Sequence, residues 1–116
     1  MPMKAVQVQE LISDLGLAVK TVTREGSVRS VKGGFVGDVL SHVMSGARSG
    51  YAWITVQTHE NVVAVAAVTD VSCVVICQRE IPDVTVQRAE AEGITLLWSD
   101  QSAFEISGRM YGLLRP

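Results

Sequence analysis

Positive charge is in short supply: ten Lys and Arg stand against twelve Asp and Glu, a formal net charge of -2. Without a basic excess there is no electrostatic footprint for nucleic acid. Long apolar runs are missing too. None reaches the ~20 residues needed to span a bilayer, so no membrane partner is expected. Gln7, Gln9 and Glu10 interrupt the basic-then-apolar pattern of a signal peptide, and a soluble cytoplasmic protein is the expectation. There are only two cysteines, Cys73 and Cys77, both within the apolar run 71–77. On one strand, four residues apart, their Cα atoms would be separated by ~13 Å. A disulfide needs less than roughly 7 Å, so both are expected to be reduced, buried and structural.

The motifs of catalysis are equally sparse. There are two histidines, and His42 has no nucleophile or carboxylate motif beside it. The chain has no Gly-x-Ser-x-Gly elbow and no His, Cys and carboxylate set at metal-ligand spacing. Gly-x-Gly-x-x-Gly and Walker spacings are absent as well, and Lys32 precedes Gly33-Gly34 instead of following them. No enzyme activity, catalytic residue, metal or cofactor is expected.

What remains is a globular pattern. The 116 residues, 47% of them hydrophobic, suit a single domain, 1–116, with one core. Val8, Leu11, Ile12 and Leu15 fall on one helical stripe ended by Gly16. Residues 17–22 alternate as a strand, 23–27 read as a turn, and 28–31 are extended again, either paired with 17–22 as a hairpin or simply beside it. Phe35, Val36, Val39, Leu40, Val43 and Met44 make a helical face closed by the turn formers of 45–50. Residues 53–56 form a strand. Asn61 is a good N-cap for a short buried helix over 61–68, and 71–77 is the next strand. Pro82 and Gly93 bracket a further helix, 94–98 is a strand, and Ser99 or Asp100 caps the last helix. There Phe104, Met110, Tyr111 and Leu114 mark one side, and Glu105 and Arg109 are spaced for an i,i+4 pair worth ~0.3–0.5 kcal/mol. Strands alternating with helices, the strands almost continuously apolar, predict an α/β fold whose mostly parallel sheet is covered on both faces.

In such sheets ligands bind beyond the carboxyl ends of the strands, beside helix N-termini. Four loops are candidates for that edge: Lys32-Gly33-Gly34, Gln57-Thr58-His59-Glu60-Asn61, Gln78-Arg79-Glu80 and Ser99-Asp100-Gln101-Ser102. Glycines let backbone N–H groups approach an anion, and a helix start adds partial positive charge. A tight turn before a helix explains Gly33-Gly34 equally well. Thr58, His59, Asn61, Ser99 and Ser102 are potential donors to phosphate or sugar oxygens, although Thr58 and Asn61 also suit plain capping. In the last helix Gly108 and Gly112, with Ala103 and Ser107, invite close approach. The sheet itself is the first expectation for what approaches, and a subunit interface the second.

Three stretches carry a family resemblance: Val31-Lys32-Gly33-Gly34-Phe35-Val36-Gly37-Asp38-Val39-Leu40, then Trp53-Ile54-Thr55-Val56-Gln57-Thr58-His59-Glu60-Asn61-Val62-Val63-Ala64-Val65-Ala66, and Ser102-Ala103-Phe104-Glu105-Ile106-Ser107-Gly108-Arg109. Together they resemble the DRTGG-domain family in its stand-alone form, over nearly the whole chain. Ser30-Val31-Lys32 replaces the first three residues of the name motif, removing its Asp and Arg. The resemblance implies a three-layer α/β/α sandwich like the N-terminal domain of HPr kinase, with a mostly parallel, mixed sheet of about five strands. Such domains accompany nucleotide-sensing CBS modules in some pyrophosphatases, occur with phosphate acetyltransferases, and stand alone beside iron-only hydrogenase genes. The expectation is a non-enzymatic regulatory domain, homodimeric, binding a small anionic ligand through Lys32, Gly33, Gly34, Gln57, Thr58, His59, Asn61, Ser99 and Ser102. A protein-interaction module that helps a larger metabolic or redox complex assemble is the alternative.

Overall fold

The structure, a computed structural model, describes residues 2–116. In chain order the elements are β1 (Val6–Gln7), α1 (Val8–Leu15), β2 (Ala18–Thr21), α2 (Arg24–Val28), β3 (Ser30–Val31), β4 (Gly33–Val36), α3 (Leu40–Gly46), β5 (Tyr51–Thr55), α4 (Asn61–Thr69), β6 (Cys73–Cys77), α5 (Asp83–Ala91), β7 (Leu96–Ser99) and α6 (Ala103–Leu114). Five strands form one sheet in the order β2-β7-β6-β5-β4, while β1 and β3 make a separate antiparallel pair. Strands β4 to β7 are parallel; β2 joins β7 antiparallel. None of the described helices is long and apolar enough to cross a membrane.

Side-chain alternation divides the core into two layers. Ala52, Ile54, Cys73, Val75, Cys77 and Leu97 point to one face, where α1 and α6 cover them with Leu11, Leu15, Ile106, Met110 and Leu114. Trp53, Val74, Ile76 and Leu96 point to the other, under Val43 of α3, Val62, Val63 and Ala66 of α4, and Ala89 of α5. Burial on both faces is why β6 is apolar at every position. Each fully buried Leu, Ile or Val in these layers stabilises the fold by about 1.5–3 kcal/mol. The expected α/β sandwich with a mostly parallel sheet is what forms.

Several local expectations are corrected. Gly33-Gly34 does not turn the chain into a helix; it opens β4, paired in register with Tyr51 and Ala52. The Tyr51 ring covers Gly33 so closely that a Cβ there would sit 2.6 Å from its Cε1. Phe35 and Val36 therefore belong to a strand, and α3 begins only at Leu40. Phe35 still meets α3, because its ring lies across Gly46. Residues 23–27 are not a simple turn: Thr23 accepts from Gly26 N at 2.9 Å and caps the short helix α2. The segments at 17–22 and 28–31 are neither hairpin nor neighbours, since β2 pairs with β7 and β3 with β1.

In α6 the cap is Ser102, whose Oγ accepts from Glu105 N, and not Ser99 or Asp100. Phe104 and Tyr111 stand on the solvent side, apart from buried Met110 and Leu114. Arg109 does not pair with Glu105; its guanidinium donates to Gln101 Oε1 and to the Asp14 and Leu15 carbonyls, tying α6 to the end of α1. Gly108 and Gly112 face open space, so the sheet is not what they admit.

Candidate functional site

The parallel strands end at Val36, Thr55, Cys77 and Ser99, all on one edge of the sheet, and α3, α4, α5 and α6 start from it. The four-loop edge is thus present, but its first loop is Gly37-Asp38. Lys32 and Gly33 lie at the opposite edge, where Lys32 N donates to Gly50 O at 3.0 Å and Gly33 pairs with the first residue of β5. The sheet therefore separates Lys32, Gly33 and Gly34 from the other candidates. Gln57, Thr58, His59, Asn61, Ser99 and Ser102 share the carboxyl edge.

Asp38 organises the corner between β4 and β5. Its Oδ1 accepts from Thr55 Oγ1 and from Val56 N, each at 2.8 Å. Beside it, Trp53 Nε1 donates to Gly37 O at 2.8 Å. The loop leading into α4 is held by its own side chains. Gln57 Oε1 accepts from Thr58 N and His59 N, both at 3.2 Å, and His59 Nδ1 accepts from Asn61 N at 3.0 Å. Asn61 is accordingly the first helical residue and not the cap. With Nδ1 used as acceptor, Nε2 is the ring nitrogen of this exposed residue left for another partner. Among the described residues, Thr58 Oγ1, His59 Nε2 and the Asn61 side-chain amide make no hydrogen bond within the chain, while Thr58 O is held by buried Thr85.

Ser99 and Ser102 have structural partners: Ser99 Oγ accepts from Gln101 N at 3.0 Å, and Ser102 caps α6. Between the ends of β6 and β7 and the start of α5 lies a recess of about 450 Å³, lined by Lys20, Gln78, Glu80, Asp83, Val86 and Trp98. Trp98 is fixed there by Nε1 donating to Arg79 O at 2.9 Å, with Lys20 Nζ 5.9 Å from its ring centroid. Gln78 takes a left-handed φ of 69° to start this loop, its N donating to Ser99 O at 2.7 Å. A larger recess, about 520 Å³, lies at the opposite edge, but its arginine, Arg29, is already committed to Asp70 and to the Val71 carbonyl. Chemistry favours the smaller one, where polar groups remain available.

Asp38, Lys20 and Trp98 escaped the sequence reading. An aspartate two residues after an apolar strand and two residues before a helix was the available signal for Asp38. Nothing in the sequence announces that Lys20, from an antiparallel edge strand, reaches Trp98.

No family model and no curated protein matches the chain. Among solved structures it is similar to the CBS and DRTGG domains of the regulatory region of Clostridium perfringens pyrophosphatase, complexed with activator, diadenosine tetraphosphate. The TM-score is 0.75 and the identity 14%, over 94% of this chain and 47% of that one. The chain spans about half the length of that neighbour, and at this identity the likeness is one of fold. The chain thus shares its α/β fold with part of that regulatory region.

Proposed function

We propose that the chain is a non-enzymatic regulatory domain that binds a small anionic ligand, a nucleotide or phosphorylated metabolite, at the carboxyl edge of its sheet. One observation carries this reading: Gln57 Oε1 sits on two backbone N–H groups, those of Thr58 and His59, in the loop that leads into α4. A phosphate oxygen would occupy the same place, strengthened by the helix's partial positive charge. Swinging Gln57 aside frees both N–H groups, and Thr58 Oγ1, His59 Nε2 and the Asn61 amide complete the donor set. Elsewhere on the same edge, the recess at Trp98 sets a ring face and the Lys20 cation beside two carboxylates, Glu80 and Asp83. The neighbouring fold comes from a regulatory region crystallised with a nucleotide activator, which agrees with a sensing role. In this reading the domain works as a homodimer in the cytoplasm.

Calorimetry against nucleotides, dinucleoside polyphosphates and sugar phosphates tests the proposal. Binding by one of them, weakened in His59→Ala, is the expected result; silence across the panel at millimolar ligand overturns it. The second reading, an assembly module of a metabolic or redox complex, is favoured by one observation, the bare Phe104 side chain on α6. Its measurement is co-purification of a defined partner that Phe104→Ser abolishes.

A further inference from the structure

We propose that the recess of about 520 Å³ at the amino edge of the sheet is a second small-molecule site, which takes an organic cation bearing a primary ammonium group. Its volume lies within the range of small-ligand sites. The commitment of Arg29 to Asp70 and the Val71 carbonyl turns an anion away, but a cation asks only for oxygens. Three carboxylates, Glu25, Asp70 and Glu92, line the recess against the single Arg29 guanidinium. Asp70 is paired with Arg29 and Glu92 with Arg88, whereas Glu25 has no ion pair among the described residues. Ala66 and Ala67 bring the closing part of α4 to the wall, and Glu92 and Gly93 the end of α5. Helix C-termini carry partial negative charge, which favours a cation beside them.

A buried hydroxyl points independently to a ligand. Thr95, directly before β7, is 4% exposed, yet its Oγ1 makes no hydrogen bond among the described residues. Every fully sealed side-chain oxygen or nitrogen among them has a partner, so Thr95 Oγ1 is reached by solvent, through the recess it lines. Gly26 keeps it uncovered, because a Cβ on that residue would stand 2.7 Å from the hydroxyl oxygen. The buried hydroxyls of Thr21, Thr55 and Thr85 are all bonded inside the chain, to Ile94 O, Asp38 Oδ1 and Thr58 O. A hydroxyl without such a partner weakens a fold unless something from outside completes it.

The chemistry of the walls selects the occupant. A metal ion does not fit, since among the described residues no three His, Cys, Asp or Glu side chains converge. An ammonium group fits: Thr95 Oγ1, the Glu25 carboxylate and a carbonyl at the end of α5 match its three donors in number and kind. Ala66, Ala67, Val71 and Ile94 then give an alkyl chain an apolar wall to lie on. The occupant is therefore an alkylamine of the diamine or polyamine class. This site lies on the edge opposite the Gln57–Asn61 corner and stands whether or not that corner binds an anion.

Titration of the full chain with putrescine, followed by backbone-amide NMR, provides the test. Shifts should saturate in the millimolar range or below and stay confined to the surroundings of Gly26, Gly93 and Thr95. Thr95→Val should weaken binding about tenfold, the loss expected for a hydrogen bond to a charged group. It should leave unfolding stability undiminished, because the hydroxyl bonds nothing in the chain, and Thr95→Ser should restore the affinity. Glu25→Gln, at an exposed carboxylate that the fold does not need, should weaken binding about threefold. His59→Ala should change nothing at this edge. The proposal is overturned by silence throughout the millimolar range, by shifts that butanol or magnesium chloride reproduces, or by an affinity that survives both Thr95→Val and Glu25→Gln.

Discussion

Burial pushes the Cys73 thiol up to about 12 and the Cys77 thiol to about 11, the Asp38 carboxylate adding to the second. Because the thiolate is the nucleophile, neither should react with a maleimide or disulfide reagent in native protein at neutral pH. Modification should follow the rate of unfolding, and fast labelling of the folded chain would contradict the assignment. Both folded-state values stand above the ordinary value near 9, so the stability held by these buried thiols is complete below pH 9 and is lost as pH rises towards 11 to 12. Gly33 gives a second test at this scale. Its position under the Tyr51 ring predicts that Gly33→Ala destabilises the fold by about 1–3 kcal/mol through overpacking. Denaturant unfolding should show that loss while ligand affinity at the far edge is unchanged. A pure affinity defect would return Gly33 to the binding site.

Among the elements, the loop leading into α4 shows how a side-chain acceptor and a ligand compete for the same N–H groups. Gln57→Ala removes the acceptor of two loop N–H groups and should lower stability by about 1 kcal/mol, the usual net contribution of a hydrogen bond. In the same variant inorganic phosphate should bind more tightly, because nothing then has to be displaced; equal or weaker phosphate binding in a titration would refute the displacement reading. Helix α4 was legible in the sequence because alanines and a polar loop agreed with the strand at 73–77 that had to follow it. Strand β4 was not. Phe35, Val36, Val39 and Leu40 imitate helical spacing, and only the register with β5 reveals that Gly37-Asp38 divides a strand from a helix. The corner at 57–61 was readable from its polar run, whereas its inner support, Asp38, depends on a contact seventeen residues away. Lys32 misled for a related reason: parallel strands put the residues before β4 at the edge opposite those after it.

Across the whole molecule, one exposed cluster ties the amino-edge connections together. Arg29, just after α2, bonds the carbonyls of Asp70 and Val71 and pairs with the Asp70 carboxylate at 3.1 Å, while Ser49 Oγ donates to that carboxylate at 2.6 Å. The hydrogen bond from Ser49, helped by the Arg29 charge, holds Asp70 below its ordinary value near 3.8. A depressed folded value means that this contribution is present above pH 4 and disappears as pH falls through the lower, folded value. Asp70→Asn should therefore remove the part of the acid limb of a stability profile that sets in below pH 4, wild type and variant converging once pH has fallen through the folded value; an unchanged limb would discount the cluster. The distribution of indoles has a different consequence. Trp53 is sealed under α3 and α4 with its N–H bonded to Gly37, whereas Trp98 is only partly buried and lines the recess at the sheet edge. The chain thus carries two intrinsic fluorophores in unlike surroundings, a blue-shifted one that responds to unfolding and a redder one that responds to whatever enters the edge. Replacing either tryptophan with phenylalanine would turn the protein into a single-channel optical reporter, able to distinguish a ligand from a loosened core without any added dye.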